Sequence, residues 1–200
     1  KTNKELIMLL GHANKWHRQT AVRLIAERKD PQTISPLRQM AVSEVGLSSL
    51  NALWALYQVG GFDASTVQST LQHPDAHVRL WTVRLLGDHY GIQRNLGLPG
   101  TNTEAQVLPE VIFNTFLNQT QIEPHPEVRS QIASTARRLE LTQGLLLTEK
   151  LLEHEEDLDD LFIPLLCWWM FEAHMPDANE GIVQFMEQSD LWSQPVFITH

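Results

Sequence analysis

Residues 73–88 read His-Pro-Asp-Ala-His-Val-Arg-Leu-Trp-Thr-Val-Arg-Leu-Leu-Gly-Asp. Sixty-one positions earlier, residues 12–27 read His-Ala-Asn-Lys-Trp-His-Arg-Gln-Thr-Ala-Val-Arg-Leu-Ile-Ala-Glu. His12 aligns with His73, Asn14 with Asp75, Arg18 with Arg79, Arg23-Leu24 with Arg84-Leu85, and Glu27 with Asp88. A weaker third copy runs His125-Pro126-Glu127-Val128-Arg129, followed by Ile132 and Thr135-Ala136. One supersecondary unit repeated along a chain implies stacked modules, none of which can bury its apolar face alone.

Helical periodicity extends outward from these copies. Thr2-x-x-Glu5 is a capping box ahead of Leu6, Leu9 and Leu10. Asn14 caps a partner helix whose stripe is His17, Ala21, Leu24 and Ile25, and Asp30-Pro31 ends it. A second pair is expected over 33–43 and 48–59, stopped by Gly60-Gly61. A third starts at Asp63 and turns at His73-Pro74-Asp75 into the stripe Val78, Thr82, Leu85 and Leu86. Residues 91–103, with Gly97, Pro99 and Gly100, read as a surface insertion. Thr103-x-x-Gln106 is expected to open a fourth pair holding Val111, Ile112, Phe116 and Leu117, then Val128, Ile132, Thr135 and Ala136. A fifth pair covers 142–154 and 160–174, with Ile163, Cys167, Met170 and Phe171 inward and Pro176 as its stop. Asp177-x-x-Glu180 then caps a helix to about Ser189, and 191–200 looks like a repeat cut off midway. Polar/apolar alternation between hairpin turns is nearly absent. The expectation is all-α: one domain over 1–200, a right-handed α-α superhelix of about five helix pairs.

Composition narrows the function classes. The 200 residues carry a net charge of −9 with neutral histidines, which argues against nucleic acid and against an anionic bilayer surface. No apolar run approaches the length of a membrane span. The first residues, Lys1-Thr2-Asn3-Lys4-Glu5, lack Met and a signal-peptide pattern, and read as the edge of an excised segment. A single cysteine, Cys167, allows neither an internal disulfide nor a Cys-x-x-Cys site.

The candidate residues divide into a ladder and a surface. In Asp75-x-x-Val78-Arg79 the acid caps a helix, Val78 enters the core, and Arg79 can reach a neighbouring turn. Asn14, Arg18, Asp75, Arg79 and Arg129 form this structural ladder. Nine histidines raise the question of a metal. Pro74, however, puts His73 outside the helix that carries His77, so the pair does not share a face, and no metal site is expected. The acidic run Glu153, Glu155, Glu156, Asp157, Asp159 and Asp160 suits a helix N-terminus, and lacks the spacing of a calcium loop. The other reading of that run is a basic partner. Trp168-Trp169, with Trp54 and Trp81 in corresponding regions, read first as core and otherwise as an aromatic binding face. Arg23 with Glu27 and Arg84 with Asp88 are i, i+4 pairs of opposite charge. Arg23, Arg84, Trp168 and Trp169 are the candidates for an interaction surface. No catalytic constellation is found.

The ladder motif resembles the inner-helix start of HEAT repeats. Three stretches carry a more specific resemblance: Asn14-Lys15-Trp16-His17-Arg18-x-x-Ala21-x-Arg23-Leu24, Leu53-Trp54-Ala55-Leu56, and Asp159-Asp160-Leu161-Phe162-Ile163-Pro164-Leu165-Leu166-Cys167-Trp168-Trp169-x-x-Glu172-Ala173. With Pro126-Glu127-Val128-Arg129-Ser130-Gln131 and Leu191-Trp192-x-x-Pro195, they look like the HEAT region of the PVC-type haem-binding CxxCH proteins, a family of predicted membrane-bound dehydrogenases. That resemblance implies an exported or periplasmic redox protein joining a β-propeller, this helical middle and a c-type cytochrome domain. Haem c is then expected elsewhere in such a protein, since the Cys-x-x-Cys-His of attachment is not in this sequence, and no cofactor is expected here. The implied role is a non-catalytic scaffold whose partners are proteins: flanking domains or another polypeptide. The alternatives are a free-standing protein–protein interaction module, and an alkyl-base DNA glycosylase on a HEAT-like solenoid, which the charge disfavours.

Overall fold

The computed structural model describes residues 1–92 and 104–199. Among them there are helices, turns and no strand. The expected insertion lies outside the described residues from position 93 to 103, as does Thr103 of the proposed capping box. The coordinates divide into two compact units, Lys1–Thr82 and Val83–His200.

In the first unit, α1 (Asn3–Met8) starts at the capping box read from the sequence. Thr2 accepts the Glu5 N–H, and the Glu5 carboxylate accepts the Thr2 N–H. Helix α2 (Lys15–Arg28) is capped by Asn14 and ends on Lys29 in the left-handed region (φ 48°). Helices α3 (Ile34–Ser43) and α4 (Leu47–Gln58) pack against each other, α2 packs on α4, and α5 (Ala64–Leu71) packs on α3. Leu6, Leu10, Ile25, Leu37, Leu53, Leu56 and Leu71 are fully buried between them. Helix α6 (Ala76–Tyr90) begins in this unit, and the division falls within it.

The second unit holds α7 (Glu110–Ile122), α8 (Pro126–Ala136), α9 (Leu141–Leu152), α10 (Ile163–Gln188) and α11 (Pro195–Thr199). Helices α8, α9 and α10 pack mutually, and α7 lies on α9. Gly144 permits the close approach: a Cβ there would sit 2.7 Å from the Ala136 carbonyl oxygen and 3.0 Å from Met170 Cε. Phe116, Ile132, Leu147, Cys167, Met170 and Phe171 fill the interior.

One sequence expectation needs correction, and one is met. Helix α7 starts at Glu110 behind Pro109 rather than at 103, so Val111 falls on its exposed side while Ile112, Phe116 and Thr120 turn inward. The break expected at Pro176 is present: proline lacks an N–H for the Glu172 carbonyl and crowds the preceding turn, the backbone leaves helical geometry at Ala178 (φ −146°, ψ 34°), and a further helical segment then runs to Gln188, close to the end expected at Ser189.

Each copy builds its turn from the same bonds. The Asn14 N–H donates to His12 Nδ1 at 3.0 Å, and the Asp75 N–H to His73 Nδ1 at 3.1 Å. Arg18 Nη1 donates to the His12 and Ala13 carbonyls at 2.8 Å, and Arg79 Nη1 to those of His73 and Pro74 at 2.8 and 3.1 Å. In the third copy the His125 N–H donates to Glu123 Oε1 at 3.0 Å, and Arg129 Nη1 to the Glu123 carbonyl at 2.9 Å. The residue corresponding to His12 and His73 is therefore Glu123, not His125. The chemistry needed is a side-chain acceptor two residues before an N–H, six residues before an arginine, and a carboxylate supplies it as well as an imidazole.

Further bonds run from turn to turn within each unit. His73 Nε2 donates to the Glu44 carbonyl at 2.8 Å, and the Gly46 N–H, at φ 68°, donates to Asp75 Oδ2 at 2.8 Å. His154 Nε2 donates to the Thr120 carbonyl at 2.8 Å. Arg129 clamps Asp157 through Nε and Nη2, both at 2.6 Å, with each side chain 3% exposed. Burial works against the charge on Arg129, yet the hydrogen bonds and charge of Asp157, with Glu156 and Glu123 nearby, hold its pKa above the ordinary guanidinium value.

Two predictions follow from this ladder. Arg129→Ala leaves Asp157 buried without its cation and should cost about 3–5 kcal/mol in urea unfolding, whereas an Arg129→Met, Asp157→Leu double replacement should recover most of that loss. A double variant no more stable than Arg129→Ala would show that packing, not charge, sets the cost. The Asp75 carboxyl is opposed by burial, but donation from the Gly46 and His77 N–H groups outweighs it and lowers its pKa below 3.8. A lowered folded pKa stabilises above the ordinary aspartate range, and that contribution is lost as pH falls through the folded value. The stability gap between the protein and Asp75→Asn should hold steady through neutral pH and close only in acid below about pH 4.

Candidate functional site

The first three turns of α10 are apolar on two faces. Ile163, Cys167, Met170 and Phe171 point into the unit and are buried. Leu165, Trp168, Glu172 and Met175, at i, i+3, i+7 and i+10, run along the opposite side and are exposed. Trp168 is 54% exposed and Trp169 37%, so the reading of these tryptophans as core is overturned. One helix of an orphan pair can bury one stripe; the second stays in water unless another element covers it.

Two depressions meet along this face. The first, of about 400 Å³, is bounded by Trp168, Phe171, Met175, Met186, Trp192 and Phe197. Trp192 and Phe197 meet edge to face with centroids 5.2 Å apart, and Trp192 Nε1 donates to the Met186 carbonyl at 3.1 Å, which fixes the indole at the rim. The second, of about 480 Å³, shares Pro164 and Trp168 with the first. Leu158, Leu161 and Leu165 line it, and Asp159 and Asp160 edge it. Leu161 is 82% exposed. Asp160 Oδ1 accepts the N–H groups of Phe162 and Ile163, both at 2.8 Å, which starts α10 as the acidic run predicted.

Electrostatics give the face a sign. From Leu141 to His200 the sequence has twelve aspartates and glutamates against one lysine, Lys150, and that lysine is paired with Glu153 at 2.6 Å. Asp157 is taken by Arg129, while Asp159 and Glu172 are exposed. Arg137 stands over the Trp169 ring, its Cζ 6.0 Å from the centroid.

The other candidates fall elsewhere. Asn14, Arg18, Asp75, Arg79 and Arg129 are all engaged in the turns. Arg23 lies on α2 in the first unit, paired with Glu27 at 3.3 Å and exposed. Arg84 is exposed on α6, and its i, i+4 neighbour Asp88 also receives Arg138 Nη1 at 3.0 Å. Trp54 and Trp81 stack edge to face at 4.8 Å, half-buried, in the first unit. Among the described residues no group of three histidine, cysteine, aspartate or glutamate side chains is placed to hold a metal, and no helix is long and apolar enough to cross a membrane. Met175, Met186 and Phe197 were not singled out from the sequence. The signal that could have found Met175 is the second apolar stripe on α10, beginning at Leu165; none marks Met186 or Phe197.

Cys167 borders the first depression but is buried, and burial, with the charge of Asp157, pushes its thiol up to about 12. At pH 8 iodoacetamide should leave Cys167 unmodified in the folded protein and label it fully in denaturant, as mass spectrometry would show; rapid labelling of the native protein would contradict this burial.

Compared with known protein families, curated proteins and solved structures, the chain matches none of them.

Proposed function

We propose that this chain is a HEAT-like helical-repeat scaffold that binds protein and performs no reaction of its own. The observation that supports this most is the turn shared by residues 12–18, 73–79 and 123–129, where an acceptor, an N–H and an arginine recur with one bonding pattern. One local turn rebuilt three times is what a chain of repeated helix pairs would carry. The polar side chains that recur are spent on helix ends rather than converging on a common point. The exposed surface with distinctive chemistry is the aromatic and acidic face of α10, which suits a partner better than a reacting small molecule.

The resemblance to the PVC-type haem-binding CxxCH proteins gives this reading a setting. There the segment would space or dock a β-propeller and a c-type cytochrome domain in an exported redox protein. A free-standing interaction module is the second reading, and the same face supports it.

Enzyme assays and calorimetry separate these outcomes. The purified chain should fail to oxidise aldoses with a dye or ferricyanide as acceptor, and should bind an isolated propeller or cytochrome domain of that family. Turnover by the chain alone would overturn the scaffold reading. Binding to neither domain would leave the free-standing module as the better account.

A further inference from the structure

We infer that the exposed stripe of α10 docks a basic amphipathic helix from a partner protein. The inference rests on the protein-binding reading and names the partner's chemistry. Leu165, Trp168 and Met175 offer apolar anchor points along about 15 Å of helix, close to three turns. That is the spacing an incoming helix meets with its own i, i+3, i+7 positions. The depression of about 400 Å³ beside Trp168 has the size of a pocket for bulky apolar side chains. A tryptophan at the centre of such a surface is the residue type that most often dominates binding energy.

Charge selects among occupants. Glu172 is exposed within the stripe, and Asp159 edges the depression at its start. Neither carboxylate makes an ion pair among the described residues, and the surrounding sequence from Leu141 onward is almost without cations. A neutral or acidic helix would bury these carboxylates against nothing. A helix with lysine or arginine flanking its apolar stripe would pair them, and would be steered toward the face over a distance set by salt. An anionic bilayer, which also covers apolar stripes, would be repelled.

The test uses the full chain and a fluorescein-labelled peptide of about 18 residues, long enough for five helical turns, with leucine at i, i+3, i+4, i+7 and lysine elsewhere. A second peptide replaces every lysine by glutamate. By fluorescence anisotropy the lysine peptide should bind and the glutamate peptide should be weaker by at least about tenfold. Trp168→Ala should weaken the lysine peptide by about tenfold or more, and Glu172→Lys by several-fold, while Trp16→Ala on α2 should change nothing. Circular dichroism checks each fold; if Trp168→Ala unfolds, Leu165→Ala with Glu172→Lys decides the question.

Equal binding of both peptides would overturn the choice of a basic partner. Unchanged binding by Trp168→Ala would reduce the effect to diffuse charge and overturn the site. Sedimentation showing a dimer that depends on Trp168 and excludes the peptide would assign the face to a second copy of the chain instead. None of these outcomes touches sugar turnover, so failure here stays separate from failure of the scaffold reading.

Discussion

The Arg129 side chain meets two demands at once. Its Nη1 closes the turn before α8 by taking the Glu123 carbonyl, while its Nε and Nη2 take both oxygens of Asp157 in the following turn. Helix ends leave carbonyls and N–H groups without intrahelical partners, and a packed array of helices buries many of them. Water cannot reach such groups, so a side chain must. A planar guanidinium with five donors does this in fixed geometry, which a lysine would not. The buried charge is tolerable because a carboxylate faces it bidentately.

Much of this ladder was legible. His73, Asp75 and Arg79 announce the turn by type and spacing, and His12, Asn14 and Arg18 repeat it. In the third copy His125-Pro126 imitates His73-Pro74. The functional equivalent is Glu123-Pro124, and only the hydrogen bonds show that imidazole and carboxylate serve there as the same acceptor. Sequence identity tracks residue type, whereas the fold conserves an acceptor at a fixed distance from an N–H. Pro176 was legible as a break: proline removes one bond and crowds the preceding turn, and the backbone leaves helical geometry at Ala178.

The face of α10 shows where pattern reading stops. Ile163, Cys167, Met170 and Phe171 form one stripe and Leu165, Trp168 and Met175 another, which Glu172 interrupts. Periodicity can say that two stripes exist; it cannot say which one the chain covers from within. Burial is a property of neighbours: with α8 and α9 packed on α10, Ile163, Cys167, Met170 and Phe171 are buried while Leu165, Trp168 and Met175 stay exposed.

Leaving Trp168 half in water forgoes part of the favourable burial, on the order of 1–2 kcal/mol, that a covered indole would contribute. Nearby carboxylates compound the loss, because Glu172 interrupts the stripe and keeps it from closing on itself. A purely structural surface would trade Trp168 for a lysine or glutamine at no cost to the core beneath, since Ile163 and Cys167 already seal the interior side. The ladder shows how closely this chain pairs its buried charge and its turn carbonyls when folding alone is at stake. Against that standard the aromatic, acidic face of α10 is the part of the molecule that its own packing does not explain, and complementation by a second surface would account for both its apolar groups and its charge.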